Sequence, residues 1–411
     1  MNSLFTMLSL PSLFLSNSRL ITNEYLFCMM ETKLHQKSNS FAETIDINNL
    51  CNHFRGNLRE DCLDFYSYPL KEKDSSICFE YLDYENIKNI SQFQDKWSHF
   101  IDFMTDYKKI YENELEVQFR FDIFNDNLEW IHNHNLDKSH TYTVGVNRFA
   151  DMSHNEYKEY VKRGSGYSDF TNLRGLTLPK DMCGTMKSQS GSFPSSIDWR
   201  TKNVVTPVRD QGQQGTCYAH AASENVESVY AIKYNTLPNL SVQQIVDCSY
   251  SYGDHGNNGG MYTYAWTYIH DSGLTTESAY PYTAGDSDRS SCKAFTPYTY
   301  VSDCNHVPEN ELQLTYAVVN QPVSVAIEAD SRSFQLYTSG VYNDPSCGTT
   351  IDHAVVAVGY GTLNGQDYWT VRNSWGTSWG QDGYILIARN SVSSSTIGQC
   401  AIATYAAYPI V

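Results

Sequence analysis

Two kinds of periodicity occupy different parts of this 411-residue chain, and they limit what it can fold into. Trp97, Phe100, Met104, Tyr107 and Tyr111 recur at three- and four-residue steps, the spacing of one helical face. Glu116, Arg120, Phe124, Asn127, Ile131 and Asn135 follow at steps of 4, 4, 3, 4 and 4, so one long helix carries all six on one side. Glu116 and Arg120 are an opposite-charge pair at i, i+4, worth a few tenths of a kcal/mol when exposed. The stretch 163–192 is rich in Gly, Ser and Thr and reads as a flexible, protease-accessible linker. A compact domain is expected from Phe193 onward. It opens with helical patterning and turns, after about Val301, to short apolar runs such as Pro322–Ile327, Ala354–Val358 and Tyr368–Val371. Helices followed by strands predict an α+β fold.

Composition narrows the function. Hydrophobic residues are 41% and charged residues 18%, as in globular proteins. The net charge is −17, and from Phe193 to the end 9 Lys and Arg face 19 Asp and Glu, which excludes nucleic acid as a partner. Eleven cysteines is an odd number, so in an oxidising compartment at least one thiol lacks an intrachain partner. The first eighteen residues are uncharged and contain an apolar run, Leu4 to Leu15. It is too short to span a bilayer but suits the apolar core of a signal peptide. No Lys or Arg precedes it and Pro11 interrupts it, so an anchor, or a start at Met29 or Met30, are the other readings. Residues 19–92 form an extension of unknown role. Its Cys28, Cys51, Cys62 and Cys78 allow three pairings, among which the sequence does not choose.

Three residues carry candidate chemistry. Cys217 follows a glycine-containing turn, Gln211-Gly-Gln-Gln-Gly-Thr, and heads a run in which Ala219, Ala222, Val226 and Val229 keep helical spacing. A thiol at a helix N-terminus faces the positive end of the helix dipole, which favours the thiolate. A lone cysteine is more often a buried structural residue. His353 lies in a strand-like run, Ile351–Tyr360, where an ordinary core histidine is the commoner finding, and Asn373 alone reads as a turn residue. The three gain meaning in combination.

The combination resembles the papain family of cysteine proteases. That family's nucleophile signature is C-G-[SA]-C-[WY], with His and Asn about 130–150 residues downstream; here they lie 136 and 156 residues after Cys217. Pro207-Val-Arg-Asp-Gln-Gly212, Asn258-Gly-Gly260, Gln321-Pro-Val-Ser-Val325 and Asn373-Ser-Trp-Gly376 are further landmarks between Asp198 and Pro409. Glu116 to Asn135 is similar to the family's ERFNIN propeptide pattern, and Gly145, Asn147, Phe149 and Asp151 to its second motif, G-x-N-x-F-x-D. The resemblance implies a papain-like two-lobed catalytic domain at 193–411, with a helical left lobe and a β-barrel-like right lobe, after a helical inhibitory propeptide at 93–192.

The resemblance also implies roles. Cys217 is the expected thiolate, His353 its imidazolium partner, Asn373 the residue that orients His353, and Gln211 an oxyanion donor. Gly259, Gly260, Met261, Ala326, Ile351, Asp352, Ala354, Trp375 and Tyr405 are the expected substrate-binding residues. The mainly apolar lining by Met261, Ala326, Ala354 and Tyr405, with Ile351 nearby, predicts an aliphatic or aromatic residue second before the cut. Expected bridges are Cys248–Cys292 and Cys347–Cys400. Cys183 is expected to leave with the propeptide and Cys304 to remain free or mispaired. Gln214 and Asn257 stand where a third bridge is usual, and Tyr218 and His220 replace the usual aromatics beside Cys217. His220 is expected to be a core histidine or a pH-dependent element. No cofactor or metal is implied. The implied product is a monomeric endopeptidase zymogen in an acidic vesicle or outside the cell, acting on proteins and peptides, with Asp151 and Glu116 as acid-sensitive groups. The other readings are a catalytically silent relative and an exopeptidase; the Cys, His and Gln are all present, and no long His-containing insertion occludes the cleft.

Overall fold

The computed structural model describes residues 96–165, 181–283, 292–389 and 397–411. The signal-like segment, the extension to residue 92 and its four cysteines lie outside the described residues. Two compact units divide between Phe121 and Asp122.

In the first unit, helix α1 (96–106) buries Trp97, Phe100 and Met104. The aromatic stripe outlasts the helix: the chain turns at Lys108, whose φ is 51°, and Tyr111 folds back to stack on Phe100 with ring centroids 6.0 Å apart. Helix α2 (Glu114–Leu136) begins here, with Arg120 Nε 3.9 Å from Glu116 Oε1.

The second unit contains the remainder of α2, strand β1 (Tyr142–Val144) and helix α3 (His154–Ser165). Next come β2 (Gly184–Thr185), β3 (Ile197–Asp198) and three helices, α4 (Cys217–Tyr234), α5 (Val242–Cys248) and α6 (Tyr262–Ser272). Strand β4 (Asp303–His306), α7 (Glu311–Asn320), β5 (Val323–Ile327) and the short α8 (Arg332–Gln335) follow. The chain then runs through β6 (Tyr337–Tyr342), β7 (His353–Leu363), β8 (Gln366–Arg372), β9 (Tyr384–Ala388) and β10 (Ala407–Ile410). From Phe193 onward the two longest helices lie before Val301 and the longer strands after it, as the patterning predicts. Local caps set the helix starts: Ser241, Asn310 and Ser331 each accept a backbone N–H three residues on. Helix α4 stops where Asn235 turns left-handed.

Among the described residues the sheet order is β1-β6-β9-β8-β7-β5-β10-β4-β2, with β3 on β7. Strand β7 is buried from His353 to Gly361, because helices α4, α3 and α7 all pack on it. An apolar strand covered on both faces loses polar–apolar alternation, and the run from Ala354 to Val358 has none.

The linker expectation needs correction over 181–192. This part is joined to the catalytic region by a disulfide, Cys183–Cys304, and by pairing of β2 with β4. Cys183 is not a residue held only by the propeptide, and Cys304 is neither free nor mispaired. Composition reads flexibility from Gly and Ser but cannot see a partner 121 residues away. Cys248–Cys292 and Cys347–Cys400 are also bridged, and among the described residues Cys217 is the cysteine outside any disulfide.

Candidate active site

Helix α4 presents Cys217 as its first residue, after the turn through Gly212, where φ is +68°. The helix is buried along almost its whole length. Polar groups on it therefore require partners. Glu227 accepts from Thr206 Oγ1 (2.6 Å) and Leu240 N (2.7 Å) and pairs with Arg209. Glu224 lies 3.0 Å from Arg372 Nη2. Burial pushes the Glu224 carboxyl up, but Arg372, helped by His220 and Arg209, outweighs this and leaves it lowered. That buried pair ties the helix bearing Cys217 to the strand end bearing Asn373.

His353 opens β7, and its Nε2 meets Asn373 Oδ1 at 2.8 Å. The Trp375 ring stacks on the imidazole at 4.6 Å and shields the contact from water. The next residue along β7, Ala354, directs its backbone N–H to the Cys217 sulfur, as does Tyr218. The strand therefore brings His353 to the head of α4.

Gln211 is fixed on three sides. Its backbone N–H donates to Ser374 O (2.8 Å), its Oε1 accepts from Ser374 Oγ (2.7 Å), and its Nε2 donates to Gln214 O (2.7 Å). Ser374 is a positioning residue that the sequence alone does not single out.

Backbone pairing joins the segments where a third bridge is usual: Gly215 N–H donates to Asn257 O at 2.8 Å, and Gly215 pairs with Asn258. Tyr218 is buried and donates to Gly256 O at 3.2 Å. Its ring and Asp254 leave no room for a side chain at Gly260, where a Cβ would lie 2.8 Å and 2.3 Å from them. Asp254 accepts the Met261 N–H (2.8 Å), and burial pushes its carboxyl up to about 7. His255 N–H donates to Gly259 O. His220 is buried, its ring against Tyr282 at 5.0 Å and its Nδ1 3.9 Å from Glu224 Oε1.

The expected pocket residues also come together. Ala326 on β5 pairs with Ala354 on β7, and both belong to one apolar cluster with Ile351, against which Tyr405 packs. Tyr262, directly after Met261, donates from its hydroxyl to Tyr405 O. Asp352 is buried and accepts the Ala329 N–H at 2.8 Å.

Residues of the second unit before 166 cover this centre. Asn127 donates to Ala150 O (2.8 Å) and Met152 O (3.0 Å), and Asn135 exchanges two bonds with Val144. The two asparagines of the stripe thus fasten α2 to the turn and strand that follow it. Phe124 is buried and Ile131 half-buried. From that turn Asn147 donates to Gln335 O (2.8 Å), Arg148 pairs with Asp210 and donates to Trp375 O (3.1 Å), and Phe149 meets the Trp375 ring edge-on at 5.1 Å. Gly145 and Asp151 flank these residues, and Asp151 is buried. Tyr160 donates to Gly212 O at 3.0 Å. The Arg163 carbonyl would lie 1.9 Å from any Cβ at Gly215, so the covering backbone runs directly beside the Cys217 turn.

Under this cover burial disfavours the charged form of both Cys217 and His353. Burial pushes the Cys217 thiol up to about 12, against backbone N–H groups that favour the thiolate. Burial pulls His353 down to about 4; the Asn373 bond opposes this and His220 adds to it.

Residues 193–410 match the family described as Papain family cysteine protease, and residues 100–157 match the cathepsin propeptide inhibitor domain (I29). The chain is 43% identical over 304 residues to Cysteine proteinase RD21A of Arabidopsis thaliana, covering 72% of this chain and 62% of that protein. It is 40% identical over 342 residues to Cysteine proteinase 3 of Dictyostelium discoideum, covering 81% of this chain and 96% of that one. The chain spans 62% to 65% of the length of the three RD21 relatives of Arabidopsis thaliana. Among solved structures, digestive procathepsin L 3 of Tenebrio molitor larval midgut superposes with a TM-score of 0.68 at 36% identity, covering 78% of this chain and 99% of that one. The chain belongs to the papain family of cysteine proteases and carries that family's inhibitory propeptide region ahead of the catalytic one.

Proposed function

We propose that this chain is a cysteine endopeptidase made as an inactive zymogen, with Cys217 as nucleophile. The observation that carries the reading is the His353–Asn373 contact of 2.8 Å beneath Trp375, on the strand that reaches the Cys217 sulfur. With Nε2 committed to Asn373, Nδ1 is the nitrogen that exchanges a proton with Cys217. Once the cover leaves, water reaches both groups, the proton passes from sulfur to Nδ1, and the thiolate forms at the helix N-terminus. Its sulfur attacks the scissile carbonyl. The oxyanion takes hydrogen bonds from the Cys217 backbone N–H and from the second N–H of the Gln211 amide. His353 returns its proton to the leaving amine, and water then hydrolyses the thioester, with His353 taking the water proton. Met261, Ala326, Ile351, Ala354 and Tyr405 favour an aliphatic or aromatic side chain second before the cut.

The same cover supports inhibition by the propeptide residues that form it, and the pKa of His353 supports release by acid. Its folded value lies below the ordinary 6.5, so the covered form binds fewer protons than an opened one between about pH 6.5 and 4. Cover is therefore fully favoured above 6.5 and weakened as pH falls through the window. Three disulfides among the described residues suit an oxidising secretory route ending in an acidic vesicle or outside the cell. No helix of the described residues is long and apolar enough to cross a membrane.

The test is active-site titration with a thiol-directed epoxide after acid treatment. One label per chain on Cys217, with peptide hydrolysis lost in proportion, is expected; hydrolysis that survives full labelling rejects the assignment.

A further inference from the structure

Neither family match covers residues 158–192, yet part of this interval is built into the catalytic region. Strand β2 runs parallel to β4 as the outermost strand, with Gly184 opposite Asn305 and Thr185 opposite His306. Met186 N–H then donates to His306 O at 2.8 Å. Further along, Gln189 and Gln313 exchange two bonds, 2.7 and 2.9 Å, and the Tyr316 hydroxyl donates to Gly191 O at 2.5 Å. On the other side of the strand Asp181 meets His306 Nε2 at 3.1 Å, and Met182 N–H reaches Thr267 Oγ1 at 3.3 Å. The Cys183–Cys304 bridge lies in the middle, with Cys304 wholly buried. Asp181, Cys183 and His306 cluster closely, but the bridge occupies the Cys183 sulfur, so the group is not a metal site.

This arrangement has a consequence for zymogen processing as read above. A cut between Cys183 and Phe193 would open the peptide chain yet leave the inhibitory region attached through the disulfide. Tethering holds a displaced segment at millimolar effective concentration, so it rebinds as soon as acid is withdrawn. We infer that the Cys183–Cys304 disulfide makes residues 181–192 a permanent covalent part of the working catalytic domain, and that productive activation cuts on the N-terminal side of Cys183. Forming the bridge removes two protons and two electrons from the two thiols. A disulfide-donating oxidoreductase of the secretory route takes them, and its own disulfide becomes a dithiol.

The test uses the full-length secreted chain, alkylated without reductant, before and after acid processing. Non-reducing digestion and mass spectrometry are expected to recover a linked Cys183–Cys304 peptide pair from both forms, and the processed form is expected to begin before Cys183. In a Cys183→Ser/Cys304→Ser variant the new N-terminus is expected to move to the neighbourhood of Phe193. Three results overturn the inference: Cys304 alkylated without reductant, a processed enzyme that lacks Cys183, or a two-chain product cut after Cys183 that is active at neutral pH without reductant. Mapping the bridge in the untreated precursor requires neither activity nor the variant to fold. A Cys217→Ser precursor processed by added wild-type enzyme separates failure of the bridge from failure of the catalytic reading.

Discussion

Residues 142–163 and residues 181–191 both lie against the catalytic region, but they hold it by different means. The first segment uses the β1–β6 pairing, the Asn147–Gln335 and Arg148–Asp210 contacts, and aromatic rings against Trp375. All of these are reversible, and they bury a histidine that acid tends to charge. The second segment also pairs with an edge strand but adds a disulfide, which acid does not break. Non-covalent cover can respond to pH, whereas a covalent edge stays on the domain until it is reduced.

The largest expected effect is that of Cys217→Ser, which should lower peptide hydrolysis by roughly a million-fold. With self-cleavage gone, hydrogen exchange can follow acid release of the first segment while the second stays protected. Equal loss of protection in both would erase the contrast. Phe149→Ala comes next. It removes a buried ring from Trp375 at a cost of roughly 3 kcal/mol, so epoxide labelling of Cys217 in the precursor at pH 7 should accelerate about 100-fold. An unchanged labelling rate would show that the aromatic contact is not part of the lock.

A similar gain is expected from pH alone. The shift of His353 from 6.5 to about 4 allows the opened form to gain roughly 80-fold as pH falls through that window, read as labelling rate corrected for thiol ionisation. A flat profile between pH 6.5 and 4 would remove His353 as the proton-linked group. The smallest effect should come from Lys158→Ala. The Lys158–Asp330 pair is 3.6 Å long and partly solvent-exposed, and its loss should change labelling by no more than about fivefold.

Much of the site was legible because its residues lie at local positions with distinct physical roles. Cys217 heads a helix, His353 opens an apolar strand, and the two asparagines of the 116–135 stripe need partners on one face. The side chains that hold these residues in place were not legible. Ser374 under Gln211, Arg372 against Glu224, and Arg148 on Asp210 are ordinary polar residues until chain segments far apart are brought together. The proposed pH-linked group is also a tertiary reading: the resemblance implies Asp151 and Glu116 as acid-sensitive groups, while burial beneath Trp375 lowers His353.

The sequence alone determined the order of helices and strands, the candidate residues Cys217, His353 and Asn373, and the presence of a propeptide region ahead of the catalytic one. Each depends on local spacing or on a motif read along the chain. Tertiary structure decided two things. It set how far burial disfavours charge on Cys217 and His353, because desolvation depends on what covers a group and not on its neighbours in sequence. It also decided the fate of the odd cysteines. Cys183 and Cys304 are 121 residues apart, and only folding brings their Cα atoms to 4.5 Å, which turns a polar linker into an edge strand of the catalytic domain.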